Sequence, residues 1–78
     1  LPLRVSQLQQ AIAEDNRSRL RLAAHTIKGI AANLGAERLR QAAALLEKRA
    51  DSSLQQLQLQ LSRVEEQVEA LMALIRGR

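Results

Sequence analysis

"QLQLQLSRVEEQVEALMALI", residues 56 to 75, admits two readings at its start. Residues 56–62 alternate polar and apolar with the period of two that marks a half-buried strand. Beyond them the apolar positions fall at three- and four-residue steps, as one face of a helix requires. The series Leu54, Leu57, Leu61, Val64, Val68, Leu71 and Ile75 carries that helical phase through the disputed window without a break. Leu and Gln form helices well, and neither is β-branched. The stretch is therefore expected to be a helix over about 53–76, packed along its whole length. Ser53 and Gln56 have the spacing of a capping box at its start.

The rest of the chain divides in the same way. Residues 36–50 place Leu39, Ala42/Ala43 and Leu46 on one face, and residues 17–34 do so with Leu20, Ala23/Ala24, Ile27, Ile30/Ala31 and Leu34. Residues 3–14 carry Val5, Leu8 and Ile12, and Pro2 suits a helix start because its missing N–H would be unpaired there. "EDNRS" at 14–18 is rich in capping residues, and Gly35 stands where a helix end favours a residue tolerant of positive φ. Four amphipathic helices joined by short breaks predict an all-α, antiparallel, up-down-up-down four-helix bundle.

Composition agrees with one small domain over 1–78. The chain has 78 residues, 46% hydrophobic and 26% charged, with no Cys and no Phe, Tyr or Trp. Its core must be Leu, Ile, Val and Ala, and neither a disulfide nor a thiolate metal site is available to it. The formal net charge of +4 favours acidic partners without choosing among them. No apolar run approaches the ~20 residues that span a bilayer, and no signal peptide is visible, so no membrane contact by this segment is expected. The first residue is Leu1 rather than Met, so a piece of a longer protein is expected.

"AHTIKGIAANLGAE", residues 24–37, holds the single histidine, His25. A lone His among apolar residues is commonly a buried one with its polar atoms satisfied, but helix geometry places this one elsewhere. At about 100° per residue, the inward residues of the second segment fall within roughly 60° of Ile27, whereas His25 falls at roughly 160°. Its neighbours on the outer face are Leu22, Gly29 and Ala32, flanked by Arg21 and Lys28. Gly29 is costly in a helix by about 1 kcal/mol relative to Ala. With no packing reason on an outer face, clearance for another body beside His25 is one reading and a tolerated Gly without a role is the other. Lys28 lies one turn from His25, where it can attract an anion that reaches the ring, unless it is an ordinary surface lysine. Neutral imidazole is a nucleophile available near pH 7.

"HTIKGIAANLGAERL", residues 25–39, resembles the phosphoacceptor signature of histidine-containing phosphotransfer (HPt) domains, the relay modules of multistep two-component signalling. His-x-x-Lys-Gly joined to Asn33-Leu34-Gly35-Ala36 on the second of four helices carries the resemblance. It implies that His25 accepts a phosphoryl group through Nε2 and that Lys28 positions and neutralises that group. It further implies that Gly29 leaves room for the partner, Gly35 ends the helix and Glu47 holds the ring through Nδ1. Arg21, Leu22, Gly29 and Ala32 would meet the partner, a response-regulator receiver domain, transiently, and Arg17 would add to the cationic surface. The receiver would hold Mg²⁺. No metal or other cofactor is expected on this chain, which would be a phosphocarrier without an ATP site and not itself an enzyme. The resemblance points to a cytoplasmic segment of a bacterial hybrid sensor kinase, monomeric in isolation. The departures are Ala32, where Gly or another small residue is common, the absence of aromatics, and a short length, the extra N-terminal helix of many members being either absent or cut away.

Two rivals remain at this point. One is a purely structural or interaction bundle, which the long heptad of 53–76 favours, although closing the bundle uses that seam. The other is a nucleic-acid binder, suggested by a pI of about 11.1. It lacks aromatics for base stacking, and its Arg residues are spread over all four segments.

Overall fold

The computed structural model describes residues 2–77 and has four helices in the expected order. They are α1 (Pro2–Ala13), α2 (Arg17–Leu34), α3 (Glu37–Lys48) and α4 (Leu54–Arg76), with no strand among the described residues. α2 has the expected bounds. α1 is shifted by one residue at each end, α3 is shorter than 36–50, and α4 opens one residue later, because Ser53 stands outside it as the cap.

The connections are built from local hydrogen bonds. At the first turn the N–H of Asp15 donates to Ile12 O (3.1 Å) and that of Asn16 to Ala11 O (2.8 Å), closing α1 around Asp15 at φ 53°. The Asn16 side chain then accepts from the Arg19 N–H at 3.0 Å, so one residue finishes α1 with its backbone and starts α2 with its side chain. At the second turn Gly35, φ 71°, sends its N–H to Ala32 O (3.2 Å) while Ala36 reaches Ala31 O (2.9 Å). This paired closure needs a left-handed residue, which glycine supplies without a Cβ penalty. At the third turn Ser53 Oγ accepts from the Gln56 N–H at 3.3 Å. The reciprocal half of a capping box is not formed among the described residues. Arg17, at the start of α2, donates from Nη1 to the carbonyls of Ala50 (3.0 Å) and Ser52, and so ties α2 to the α3–α4 turn.

These short turns make consecutive helices neighbours, and α4 returns beside α1 to close the ring. The bundle measures 38 × 18 × 18 Å. Leu8, Leu20, Ile27, Leu39, Leu46, Leu57 and Val64 form the fully buried centre, with Ala11, Ala24, Ala31 and Ala43 letting the helices approach.

The predicted stripes hold in the middle of the bundle and fail at its ends. Leu34, expected inside, is exposed because it is the last residue before the Gly35 turn. Leu54 and Ile75 are also exposed, at the two ends of the longest helix, and Leu61 and Leu71 are only partly buried. The buried seam of α4 is Leu57, Gln60, Val64 and Val68. The seam therefore runs between Gln60 and Leu61, and a polar residue sits in the core. Leu59, the remaining member of the alternating stretch, points to solvent, as a helix requires and a strand would not.

Gln60 is only 2% exposed, and its Oε1 has no hydrogen-bond partner among the described residues. Leaving such an acceptor unpaired costs about 1–3 kcal/mol, whereas an apolar group of similar shape carries no such penalty. Gln60→Met is therefore expected to raise the urea midpoint, by about 1 kcal/mol in stability. A lower midpoint would show that the amide makes a polar contact after all. Gly35→Ala is expected to lower stability by about 1 kcal/mol in the same measurement, because alanine is strained at that φ.

Candidate functional site

The outer face of α2 and the last turn of α3 together form the site. His25 projects from the middle of α2 with its side chain 62% exposed. Its Nδ1 lies 2.8 Å from Glu47 Oε2, and Lys28 Nζ lies 2.6 Å from Glu47 Oε1. One carboxylate from α3 thus holds two residues of α2 that are a turn apart. The Lys28 ammonium bonded to Glu47 is the largest influence holding that carboxyl below the ordinary carboxylate range. Partial burial opposes the shift, and the His25 hydrogen bond adds to it.

This geometry selects a tautomer. An ionised carboxylate only accepts, so the neutral ring carries its proton on Nδ1 and donates it to Glu47. Nε2 is left with its lone pair, on a side chain that is largely exposed. The arrangement is that of an oriented nucleophile with a carboxylate ready to meet positive charge developing on the imidazole.

The surroundings differ from the expectation in their charges. Lys28, expected to face an arriving anion, donates to Glu47 instead. Arg21, expected to meet an acidic partner, has its Nη2 3.0 Å from Asp51 Oδ2. Arg17, expected to add to the cationic surface, is engaged by the α3–α4 turn and by Asp15. The arginines and lysines that form no ion pair among the described residues are Arg4, Arg38, Lys48, Arg49 and Arg63, and none of them lines the His25 depression. The site is charge-balanced, and the excess positive charge lies elsewhere. Asp51 was not singled out in the sequence; only the folding back of the α3–α4 turn brings it to Arg21, 30 residues away.

The apolar neighbours are placed as the helical angles require. Leu22 is 66% exposed, and Ala32 and Gly29 are exposed with it. Beyond its chain neighbours and its own turn of helix backbone, a Cβ added at Gly29 would meet no atom of the described residues within 4 Å, so packing does not demand glycine there. Gly35 lies at the end of the same helix as its stop, away from the ring. Ser18, Arg21, Leu22, His25 and Glu47 line a shallow depression. The two largest grooves lie between α1 and α4 and between α3 and α4, away from His25, and a third, between α1 and α2, reaches Leu22 and Thr26. A nucleophile on an open convex face cannot enclose a small substrate, and it suits a reacting group presented by another macromolecule.

A family model described as Hpt domain matches residues 1–77. The chain belongs to the Hpt domain family. No curated protein and no solved structure gives a significant match. Hpt domains are phosphocarriers rather than enzymes; they work through phosphohistidine in two-component phosphorelays and interact with the receiver domains of response regulators. In this Hpt domain, among the described residues, no three His, Cys, Asp or Glu converge as a metal site would require, and no helix is long and apolar enough to cross a membrane.

The Glu47 interactions have a definite pH signature. Its carboxyl is held low in the folded state, so its contribution to stability is present above the ordinary carboxylate range and is lost as pH falls through the folded value. Wild type is expected to be more stable than Glu47→Gln near neutrality, with the difference closing as the solution becomes acidic. Nitrogen NMR of His25 in mildly alkaline solution is expected to show the proton on Nδ1. In Glu47→Ala the Nε2–H form should rise, and an unchanged tautomer would show that Glu47 does not orient the ring.

Proposed function

We propose that His25 is the phosphoacceptor of this Hpt domain, taking a phosphoryl group from a receiver aspartyl phosphate and passing it to a second receiver. The observation that carries this reading is the largely exposed His25 side chain whose Nδ1 is held by Glu47, which leaves Nε2 for an incoming group. The Nε2 lone pair attacks phosphorus in line. The N–P bond forms as the P–O bond to the receiver aspartate breaks, and that carboxylate leaves with the electron pair. Positive charge developing on the ring is met by Glu47 across the Nδ1–H hydrogen bond. Lys28 keeps the Glu47 charge compensated, so the arriving phosphoryl group does not face a bare carboxylate. A divalent cation on the receiver would counter charge on the phosphoryl oxygens from the opposite side.

Leu22, Gly29 and Ala32 give the receiver a low, apolar landing surface beside the ring. Such a patch is small, in keeping with a transient complex. Transfer to the second receiver reverses the chemistry: its aspartate attacks phosphorus and the imidazole leaves with the N–P electrons.

Incubation with a phosphorylated receiver is expected to yield alkali-stable, acid-labile phosphate on the wild type and none on His25→Gln. Label on His25→Gln would refute the assignment. Gly29→Gln separates stability from docking. Gln is the better helix former by up to about 1 kcal/mol, and open space surrounds the site, so the fold should be as stable or more so. Its side chain should nevertheless slow transfer by about ten-fold or more by standing between the domains. Unchanged transfer would remove the clearance role of Gly29.

A further inference from the structure

Two cations flank His25 on α2: Arg21 one turn before it and Lys28 one turn after. They are held by carboxylates of different kinds. Lys28 Nζ is 2.6 Å from an oxygen of Glu47, a partly buried group whose other oxygen holds the histidine ring. Moving Lys28 away would leave that carboxylate under-compensated beside the ring. Arg21 Nη2 is 3.0 Å from Asp51, whose side chain is 81% exposed. Water replaces Arg21 on such a carboxylate at little cost.

Arg21 and His25 lie at i and i+4 on the same helix face and line the same depression. At rest the four charges around the ring cancel as two pairs, Glu47 with Lys28 and Asp51 with Arg21. A phosphoryl group on Nε2 adds about two negative charges. It also carries oxygens spaced for a forked guanidinium, which an ammonium cannot match.

We propose that Arg21, not Lys28, is the side chain that binds the phosphoryl oxygens of phosphorylated His25, and that Asp51 is the resting counter-ion it leaves. This rests on His25 being the phosphoacceptor. Lys28 stays on Glu47 in both states and keeps the ring oriented. Asp51 competes with the phosphoryl group for Arg21, so the pair sets how strongly the domain retains its cargo.

Phosphoramidate is a donor that needs no receiver. Its N–P bond breaks, ammonia departs, and the phosphoryl group joins Nε2. The experiment loads the wild type, Arg21→Ala, Arg21→Lys, Asp51→Asn and Lys28→Ala in phosphoramidate–ammonia mixtures and measures the extent of loading by phosphorus NMR. Nitrogen NMR follows the Arg21 Nε–H and Lys28 Nζ signals. The expected result is about ten-fold weaker loading of Arg21→Ala, partial recovery in Arg21→Lys, and stronger loading of Asp51→Asn. Thermal midpoints of the unloaded Arg21 and Asp51 variants should stay close to the wild type. On loading, the Arg21 signal should move and the Lys28 signal should not, a change that a merely structural Arg21 would not show. Loading of Arg21→Ala equal to the wild type, or movement of Lys28 in place of Arg21, overturns the proposal while leaving His25 as the acceptor. Absence of a phosphohistidine signal from the wild type overturns the acceptor assignment and this proposal with it.

Discussion

The Glu47 carboxylate is the interaction on which the arrangement of the site depends. One oxygen takes His25 Nδ1 and the other takes Lys28, so α3 holds α2 at two points one turn apart. That bridge requires a particular register between the helices. His25 lies nine residues before the end of α2, and Glu47 lies ten after the start of α3. At 1.5 Å per residue both stand about 14–15 Å from the turn between them. The match holds only if the turn is tight, and Gly35 makes it tight. A residue with no part in the proposed chemistry thereby sets the partner of His25.

This dependence explains what could be read from residues alone. The four helices were legible because each carries its own 3.6-residue stripe and its own caps. The exposure of His25 was legible because it follows from angles within one helix, measured from Ile27. Glu47 was reached through family resemblance rather than geometry, since its distance from the ring depends on the Gly35 turn. Leu34, Leu54 and Ile75 were misplaced because periodicity says which way a side chain faces, but not whether a neighbouring helix extends far enough to cover it. Gln60 was missed for a related reason. A seam that runs between two positions buries whichever residue the neighbouring helix covers, and here that residue is polar.

The electrostatics show the same limit more sharply. A formal charge of +4 and a line of Arg21, Lys28 and Arg17 suggest a cationic landing site. In the folded chain each of the three is paired, with Asp51, Glu47 and Asp15 respectively. Net charge is a property of the whole chain, whereas the field at one atom depends on which charges folding brings together. Long-range attraction toward an acidic surface can still come from the unpaired arginines of α3 and α4. At the ring itself, the nearby cations are already taken up in pairs.

Gly29 shows why those pairs lie beside the ring rather than over it. A helix gains about 1 kcal/mol from alanine at such a position, and nothing in the fold stands in the way of a methyl group. The stability given up there has no internal return. Lys28 is drawn down onto Glu47, and Arg21 reaches across to Asp51, so both long cationic neighbours of His25 are tethered to carboxylates. Both features keep the same volume empty, one by removing a side chain and the other by tethering two. A buried or merely structural histidine would need neither. A nucleophile that must be approached in line by a group fixed to another protein needs both, because in-line attack fixes the direction of approach, and the partner's bulk must fit along it.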